Sequence, residues 1–398
     1  MKIAIIGAGP AGLAASIKAA QKYDVTVFEK NSDCGKKLLL TGNGRANLYH
    51  ENILNNIEKI HSENAKLAQD FIYHNFSKYQ DFLNDIGLVL INKNGYIYPY
   101  SLKSYSVLAA LKKAALNNKV KFCFNTEITS ISKKKDKFIV NQEEFSKVII
   151  TTGSLCFPKT GSDGKGYTIA KTFNHNIIKV SPSLVPLITD EKLEKDWAGK
   201  RAEVVVSLYE NDKKIKSEEG EIQFTNYGLS GICIFNLSSL VRKGLDKNFK
   251  EEISINFVPW LKEDSYKYFE QRSKKFVNYT ITELCDGLMD YKIVYMILKK
   301  IHLNPEKKWN NLTKIEKELF SKSIKDFRIL IKDTKGFNES QVCSGGISLN
   351  EVNLSTMESK KEKGLYFAGE IVDMDGDCGG YNLTIAFTTG LVAGELND

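Results

Sequence analysis

Apolar and polar positions fall into three textures along this chain. The first opens it. A short apolar run, Lys2-Ile3-Ala4-Ile5-Ile6, leads through Gly7-Ala8-Gly9-Pro10-Ala11-Gly12 into a mostly apolar stretch over 13–21, and a second apolar run follows, Val25-Thr26-Val27-Phe28. Unbroken apolar runs of four or five residues suit strands covered on both faces, and the stretch between them is long enough for a helix. Apolar residues then recur at helical spacing over 65–86 (Leu67, Phe71, Ile72, Phe76, Tyr79, Phe82, Leu83, Ile86) and stop at Gly87. A further helix is predicted over about 104–116 and a buried strand over 120–124. From 127 to 151 short apolar runs alternate with Lys and Glu, as in a meander, and end in Thr151-Thr152-Gly153. Near 190 the second texture begins, with antiparallel strands predicted at 204–209, 221–225 and 253–257. The third, over 264–326, reads as two or three helices. From about 336 the first texture returns in Gly345-Gly346-Ile347, in Leu365-Tyr366-Phe367-Ala368-Gly369-Glu370 and in a final helix from about Asn382. The pattern predicts an α/β chain: a Rossmann-like domain made from both ends (1–190 and 336–398), interrupted by a β domain (191–262) and a small helical domain (263–335).

The opening strand, glycine turn and helix have the layout of a dinucleotide site. Gly7 permits the tight turn, Gly9 lets backbone approach a pyrophosphate, and Gly12 lets the helix pack closely. The helix start offers unpaired N–H groups and a partial positive charge to the phosphates. Glu29, 17 positions after Gly12, stands where a carboxylate accepts hydrogen bonds from a ribose with a free 2′-hydroxyl. Small residues recur at i, i+4 spacing in this helix (Gly12, Ser16, Ala20 and Ala11, Ala15, Ala19), which predicts close contact with the sheet. The Gly-Pro interruption and the acidic strand beyond it argue against a signal peptide.

Composition changes this picture little. With 398 residues, 42% hydrophobic and 26% charged, the chain reads as a soluble globular protein of two or three domains. No apolar run approaches the ~18 residues needed to span a bilayer, so no membrane partner is expected. Seven scattered cysteines without a CxxC pair read as reduced thiols in a cytoplasmic protein, and five histidines without ligand spacing predict no metal. The net charge of +8 raises an RNA partner, but acidic residues are interleaved throughout and nucleic acid is not the leading expectation.

A second nucleotide signature lies near the C-terminus. An apolar strand delivers Gly369-Glu370, a loop rich in Gly and Asp follows through Asp373 to Gly379-Gly380-Tyr381-Asn382, and a helix begins. Many FAD proteins hold the ribityl chain and ring this way, with the helix start (Gly380 to Leu383) aimed at the N1–C2=O edge. The final helix again carries small residues, Ala386, Gly390 and Gly394. Only one GxGxxG exists, so a dedicated NAD(P)H domain is absent from the pattern, and NAD(P)H as electron donor would dock transiently.

Four stretches together resemble one family. They are GAGPAG at 7–12, GKKLLLTGNGRAN at 35–47, the run from Thr152-Gly153 through Pro158-Lys159-Thr160-Gly161-Ser162 to Gly164-Lys165-Gly166-Tyr167, and the run from Gly364 through Gly369-Glu370 to Gly379-Gly380-Tyr381-Asn382; Thr225 to Gly231 fits as well. The chain resembles the bacterial aminoacetone-oxidase-type flavoproteins, a group that includes a member implicated in reducing unsaturated bile-acid intermediates. The resemblance implies non-covalent FAD, an inserted β-barrel with a helical part, and an oxidoreductase acting by hydride transfer at flavin N5 on a small organic substrate. Ala46 stands where Cys is expected, Ser154 where Gly is expected, and Tyr49 and His50 replace small polar residues.

Roles follow from these placements. Gly7, Gly9, Pro10, Ala11 and Gly12 are expected to cradle the pyrophosphate, Glu29 to bind ribose, Lys30 to flank adenine and Ile128 to give it backbone contacts from a strand. Lys37, Thr41, Gly42, Gly44, Arg45, Asn47, Thr152, Gly153, Gly369, Glu370, Gly380, Tyr381, Asn382 and Leu383 are expected around the flavin and its phosphates. Asp373 is expected at the ribityl hydroxyls, with a loop cap as the alternative. No catalytic residue is forced; Tyr227, Tyr381 and Asn382 are the candidates for proton transfer or polarisation. The alternatives are an RNA-associated flavoprotein and a flavin-binding sensor without turnover.

Overall fold

A computed structural model describes residues 1–190 and 197–396. The unbroken apolar runs from both chain ends lie side by side in one seven-stranded sheet, in the order Val352–Asn353, Glu358–Ser359, Leu365–Phe367, Lys147–Ile150, Lys2–Ile6, Asp24–Phe28, Lys121–Cys123. Five of these run parallel, with Ile3 opposite both Val25 and Lys147, and Val148 opposite Leu365. Ile3, Ala4, Ile5, Val27, Ile149 and Ile150 are fully buried, as strands covered on both faces require. The strand over 120–124 is not a buried one: Lys121–Cys123 forms the sheet edge, and Phe122 and Phe124 stack half-buried on each other at 5.4 Å. The meander is a three-stranded antiparallel sheet (Ser132–Lys134, Lys137–Val140, Glu143–Phe145) that feeds the central strand Lys147–Ile150.

The first helix, Pro10–Ala19, packs along the last, Tyr381–Glu395. A Cβ on Gly390 would stand 2.3 Å from the Ala11 carbonyl oxygen, and one on Gly394 2.6 Å from that of Ala15. The Ala11/Ala15 stripe therefore serves a helix–helix contact rather than the predicted helix–sheet contact. The predicted loop after Cys34 is also partly regular. Lys36–Leu40 is helical, anchored by fully buried Leu38, and Thr41–Gly44 forms a 3₁₀ turn in which Gly42 (φ 55°) and Asn43 (φ 53°) are left-handed.

The chain folds into two units, 1–182 with 337–398, and 183–336. The second unit is built on a closed antiparallel barrel, in the order Leu187–Thr189, Gly228–Ser230, Lys213–Phe224, Arg201–Glu210, Glu251–Asn256, Phe327–Thr334. Its first strand lies before the predicted boundary at 190; three residues are too few to print a period on the sequence. Three helices, Ser265–Lys275, Tyr291–Lys300 and Lys314–Ser323, separate the last two strands, and they start where the side chains of Asp264, Asp290 and Thr313 accept backbone N–H bonds. These helices share the barrel's core: Phe269, Trp309 and Phe320 cluster with ring centroids 5.3–6.3 Å apart, in the same apolar mass as Phe257 and Phe327. The stretch 263–335 is thus not set apart, because it supplies the strand that closes the barrel.

Candidate functional site

The glycine turn is tight on its protein side and open on the other. Gly7 sits at φ 104° and donates its N–H to the Phe28 carbonyl at 2.8 Å. The Thr151 hydroxyl donates to the carbonyls of Ile6 (3.0 Å) and Gly7 (2.8 Å). A Cβ on Gly12 would meet the Gly7 oxygen at 2.0 Å, whereas a Cβ on Gly9 has nothing within 4 Å. Gly9 is the residue before the helix, in extended conformation at φ −76°, ψ −175°; Pro10 and Ala11 form the helix's first turn. Of the three glycines in this turn, Gly9 is the one whose absent side chain leaves space rather than permits packing.

Glu29 is buried and already engaged. Its carboxylate accepts the Ala8 N–H at 2.8 Å, and its other oxygen accepts the backbone N–H (2.8 Å) and side-chain amide (2.7 Å) of Asn31. It clamps the glycine turn to the end of the second strand. Lys30 turns to Asp163 at 2.8 Å, and that ammonium, acting against burial, holds the Asp163 carboxyl below its usual range. Ile128 is buried in an irregular segment, not on the strand expected for it.

The loop after Gly369 is clasped by residues 60–63. Gly369 (φ 80°) donates its N–H to the Thr389 hydroxyl. Asp373 accepts the Ser62 hydroxyl and the Glu63 N–H, each at 2.8 Å. His61 lies 2.9 Å from Asp377, and strand pairing sets Asp375 opposite His61. Asn382 spends its side chain on this loop, accepting the Gly376 N–H at 3.0 Å and donating to the Gly376 carbonyl at 2.6 Å. Gly380, at φ 97°, lets the start of the last helix approach the Tyr49 backbone, where a Cβ would come within 2.5 Å; Leu383 is buried in the first turn. Tyr381 is buried, and burial, then the neighbouring Asp377 carboxylate, keeps its phenol neutral. Tyr227 belongs to the second unit, on the turn before Gly228–Ser230, with the Lys335 ammonium 4.2 Å over its ring.

The segment 37–47 brings Asn47 inward and leaves Gly42 and Arg45 exposed. The Thr41 hydroxyl donates to the Leu38 carbonyl, and Gly44 sits at φ 78°. Ala46, at φ 56°, is buried in a left-handed conformation. Ser154 is buried and accepts the Tyr167 hydroxyl at 2.8 Å, so the Cβ at this position is used in packing.

Lys37 and Glu370 pair with each other. The Lys37 ammonium lies 2.6 Å from one Glu370 oxygen and 2.7 Å from the Cys156 sulfur; Glu370's other oxygen accepts from the Cys156 thiol (2.7 Å) and the Cys343 N–H (2.9 Å). The sulfurs of Cys156 and Cys343 and a Glu370 oxygen all lie within 4.8 Å of one another. Burial, reinforced by Cys343 and Glu370, holds the Cys156 thiol well above its usual range. Burial disfavours the Lys37 charge, but Glu370 and Cys156 outweigh it and the net direction is up. Neither cysteine stands out in the sequence, since 187 residues separate them and no spacing rule links them.

The polar atoms this unit leaves without partners suit a polar cofactor. Buried Asn47 Oδ1, Thr152 Oγ1 and the Tyr381 hydroxyl have no hydrogen-bond partner. Buried polar groups are normally paired, so three orphans on the segments singled out for a cofactor, with the open face at Gly9 and left-handed Gly153 (φ 74°), fit a polar dinucleotide.

Comparisons with known proteins agree. The family described as "HI0933-like protein Rossmann domain" matches residues 1–396. The chain is 31% identical over 403 residues to the 3-dehydro-bile acid delta(4,6)-reductase of Clostridium scindens, covering 99% of this chain and 98% of that one. It is 26% identical over 401 residues to the ribosomal RNA dihydrouridine synthase of Escherichia coli, covering 97% and 95%. Among solved structures it is similar to the 3-ketosteroid-delta4-(5alpha)-dehydrogenase of Rhodococcus jostii, with TM-score 0.51, 14% identity and coverage of 98% and 95%, a likeness of fold. Among the described residues, no helix is long and apolar enough to cross a membrane. A match over nearly the whole chain, on a fold whose glycine turn and Gly-rich loop suit the cofactor, decides the assignment: the chain belongs to the HI0933-like Rossmann-domain family of FAD-binding oxidoreductases.

Proposed function

We propose that this enzyme uses non-covalently bound FAD to reduce a carbon–carbon double bond conjugated to a carbonyl in a small molecule, with NADH or NADPH as a transient electron donor. One observation carries the reading: two relatives matched end to end are named for hydrogenating such bonds, a delta(4,6) bond system in a 3-dehydro bile acid and the uracil ring of RNA. Bound FAD, once reduced by the nicotinamide, would supply the hydride. The chain's residues do the rest. The open face at Gly9 admits the pyrophosphate, and Glu29, fixed by Ala8 and Asn31, keeps carboxylate lone pairs for a ribose. Asp373, held by Ser62 and Glu63, fixes the loop beside the ribityl chain. Asn47 and Thr152 use their orphaned oxygens as partners for the cofactor. Tyr381 is the proposed proton donor: its hydroxyl is buried, neutral and without a partner.

Purified protein should be yellow and release FAD on heating. NADH or NADPH should bleach it without oxygen, and a 3-oxo-4,6-diene bile acid should restore the colour. Colourless protein that ignores added FAD defeats the cofactor assignment. A second reading, a uracil ring in RNA, is favoured by the Escherichia coli relative and the charge of +8. Reoxidation by unmodified ribosomal RNA but not by the bile acid would select it.

A further inference from the structure

We propose that Cys156 and Cys343 are a redox-active thiol pair that closes to a disulfide, with Glu370 accepting the Cys156 proton and Lys37 stabilising the resulting thiolate. Three separate segments converge here: the loop after Gly153, the strand Val342–Ile347 and the residue after Gly369. The two sulfurs are within 4.8 Å of each other, near enough to propose that they bond. Both cysteines are buried, at 0% and 1% exposure. The side chains of Lys37 and Glu370, which touch the Cys156 sulfur or its thiol hydrogen, are 23% and 17% exposed, and the proposal requires a small hydroperoxide to enter on their side. The Cys156 thiol already points its hydrogen at Glu370, 2.7 Å away, and the Lys37 ammonium is at the same distance from the sulfur. The Lys37 cation beside the thiol favours the thiolate, and the Glu370 carboxylate, which disfavours it while ionised, stands where it can take the proton. Burial, with Cys343 and Glu370, outweighs Lys37 and keeps the resting thiol protonated, so the pair oxidises slowly near neutral pH and faster as pH rises.

The chemistry balances with a hydroperoxide as oxidant. Glu370 takes the Cys156 proton, the sulfur attacks one peroxide oxygen and the O–O bond breaks. Cys156 becomes a sulfenic acid, and the hydroxide that leaves takes the proton from Glu370 as water. The Cys343 sulfur then attacks the Cys156 sulfur; the S–O bond breaks, the S–S bond forms, and the leaving hydroxyl carries off the Cys343 proton as a second water. Two thiols and one hydrogen peroxide give one disulfide and two waters, with two electrons passing to the peroxide. Two sulfurs and a carboxylate are also a donor set for a thiophilic cation, but here the Lys37 ammonium fills the place of the positive charge.

The test uses the full chain, reduced, desalted without oxygen, treated with hydrogen peroxide, alkylated in denaturant and digested without reductant. A cross-linked peptide pair joining Cys156 and Cys343 is expected, two hydrogens lighter than its parts and reversed by dithiothreitol. Buried Cys233 and Cys285 should remain alkylated as controls. Cys343→Ser should yield no cross-link and leave Cys156 trapped by dimedone. Glu370→Gln should slow cross-linking about a hundredfold, the lower end of what a positioned proton acceptor contributes. Complete alkylation of both cysteines under peroxide that oxidises half-buried Cys123 overturns the proposal, as does stoichiometric zinc in the untreated protein. The near-isosteric Cys343→Ser variant decides the matter if Glu370→Gln does not fold.

Discussion

Replacing Gly9 by valine should separate cofactor binding from stability. Gly9 has extended backbone dihedrals open to any residue, and an added Cβ meets no protein atom within 4 Å. Two small effects oppose each other in the empty protein. Losing a glycine narrows the unfolded ensemble and stabilises by about 0.4–1 kcal/mol, while valine before a helix start is a poorer cap than glycine by a comparable amount. Apo stability should therefore change by less than about 1 kcal/mol. The bound pyrophosphate, by contrast, must approach this backbone, and two extra methyl groups there overpack the contact by roughly 2–3 kcal/mol, a 30- to 150-fold weaker Kd. Denaturant unfolding of FAD-stripped protein gives the first quantity, and titration of FAD followed by quenching of its fluorescence gives the second. Gly12→Ala is the contrasting variant, since its Cβ would stand 2.0 Å from the Gly7 oxygen and 2.7 Å from the Thr151 hydroxyl, and it should damage both. FAD affinity within threefold of the parent in Gly9→Val, or a stability loss equal to that of Gly12→Ala, would refute the assignment of the open face to the cofactor.

Three further outcomes are expected. Glu29→Ala leaves the buried Ala8 N–H without its acceptor, so apo stability should fall by about 1–3 kcal/mol alongside a similar loss in FAD binding; an apo protein of parental stability would contradict the clamp. Glu251 is fully buried, and burial, then Glu210, raises its carboxyl to about 8. The folded state thus binds the proton more tightly than the unfolded one, and the chain should lose stability as pH rises from about 4.5 to about 8. Glu251→Gln should flatten that fall, so its melting temperature relative to the parent should climb across this window; a constant difference from pH 5 to pH 8 would count against it. Gly390→Ala forces a methyl group to 2.3 Å from the Ala11 carbonyl, and pushing two helices apart should outweigh alanine's better helix propensity, lowering stability by about 1–3 kcal/mol in thermal or denaturant melts.

The sequence by itself determined the parts whose signal is local. Unbroken apolar runs named the central strands, because a strand covered on both faces needs no polar alternation. The glycine turn, with Glu29 following it, marked the strand–turn–helix unit proposed to hold the nucleotide, because spacing over a single such unit is read within thirty residues. The return of that texture after 336 showed that the two chain ends share one domain type. Tertiary structure decided what depends on residues far apart. Leu187–Thr189 joins the barrel because Phe327–Thr334 and Gly228–Ser230 accept it, and the strand is too short to declare itself. Lys121–Cys123 is an edge because, among the described residues, no strand pairs beyond it in the sheet order, which its apolar content does not encode. Asn382 turned out to hold Gly376, and Asp373 to hold residues 62 and 63, since only the fold brings those partners within reach. The Lys37, Cys156, Cys343 and Glu370 cluster has four members on four segments, so its chemistry exists only once the chain has folded. A side chain's neighbours along the sequence fix its local geometry; its neighbours in space fix its charge, its partners and what it can react with.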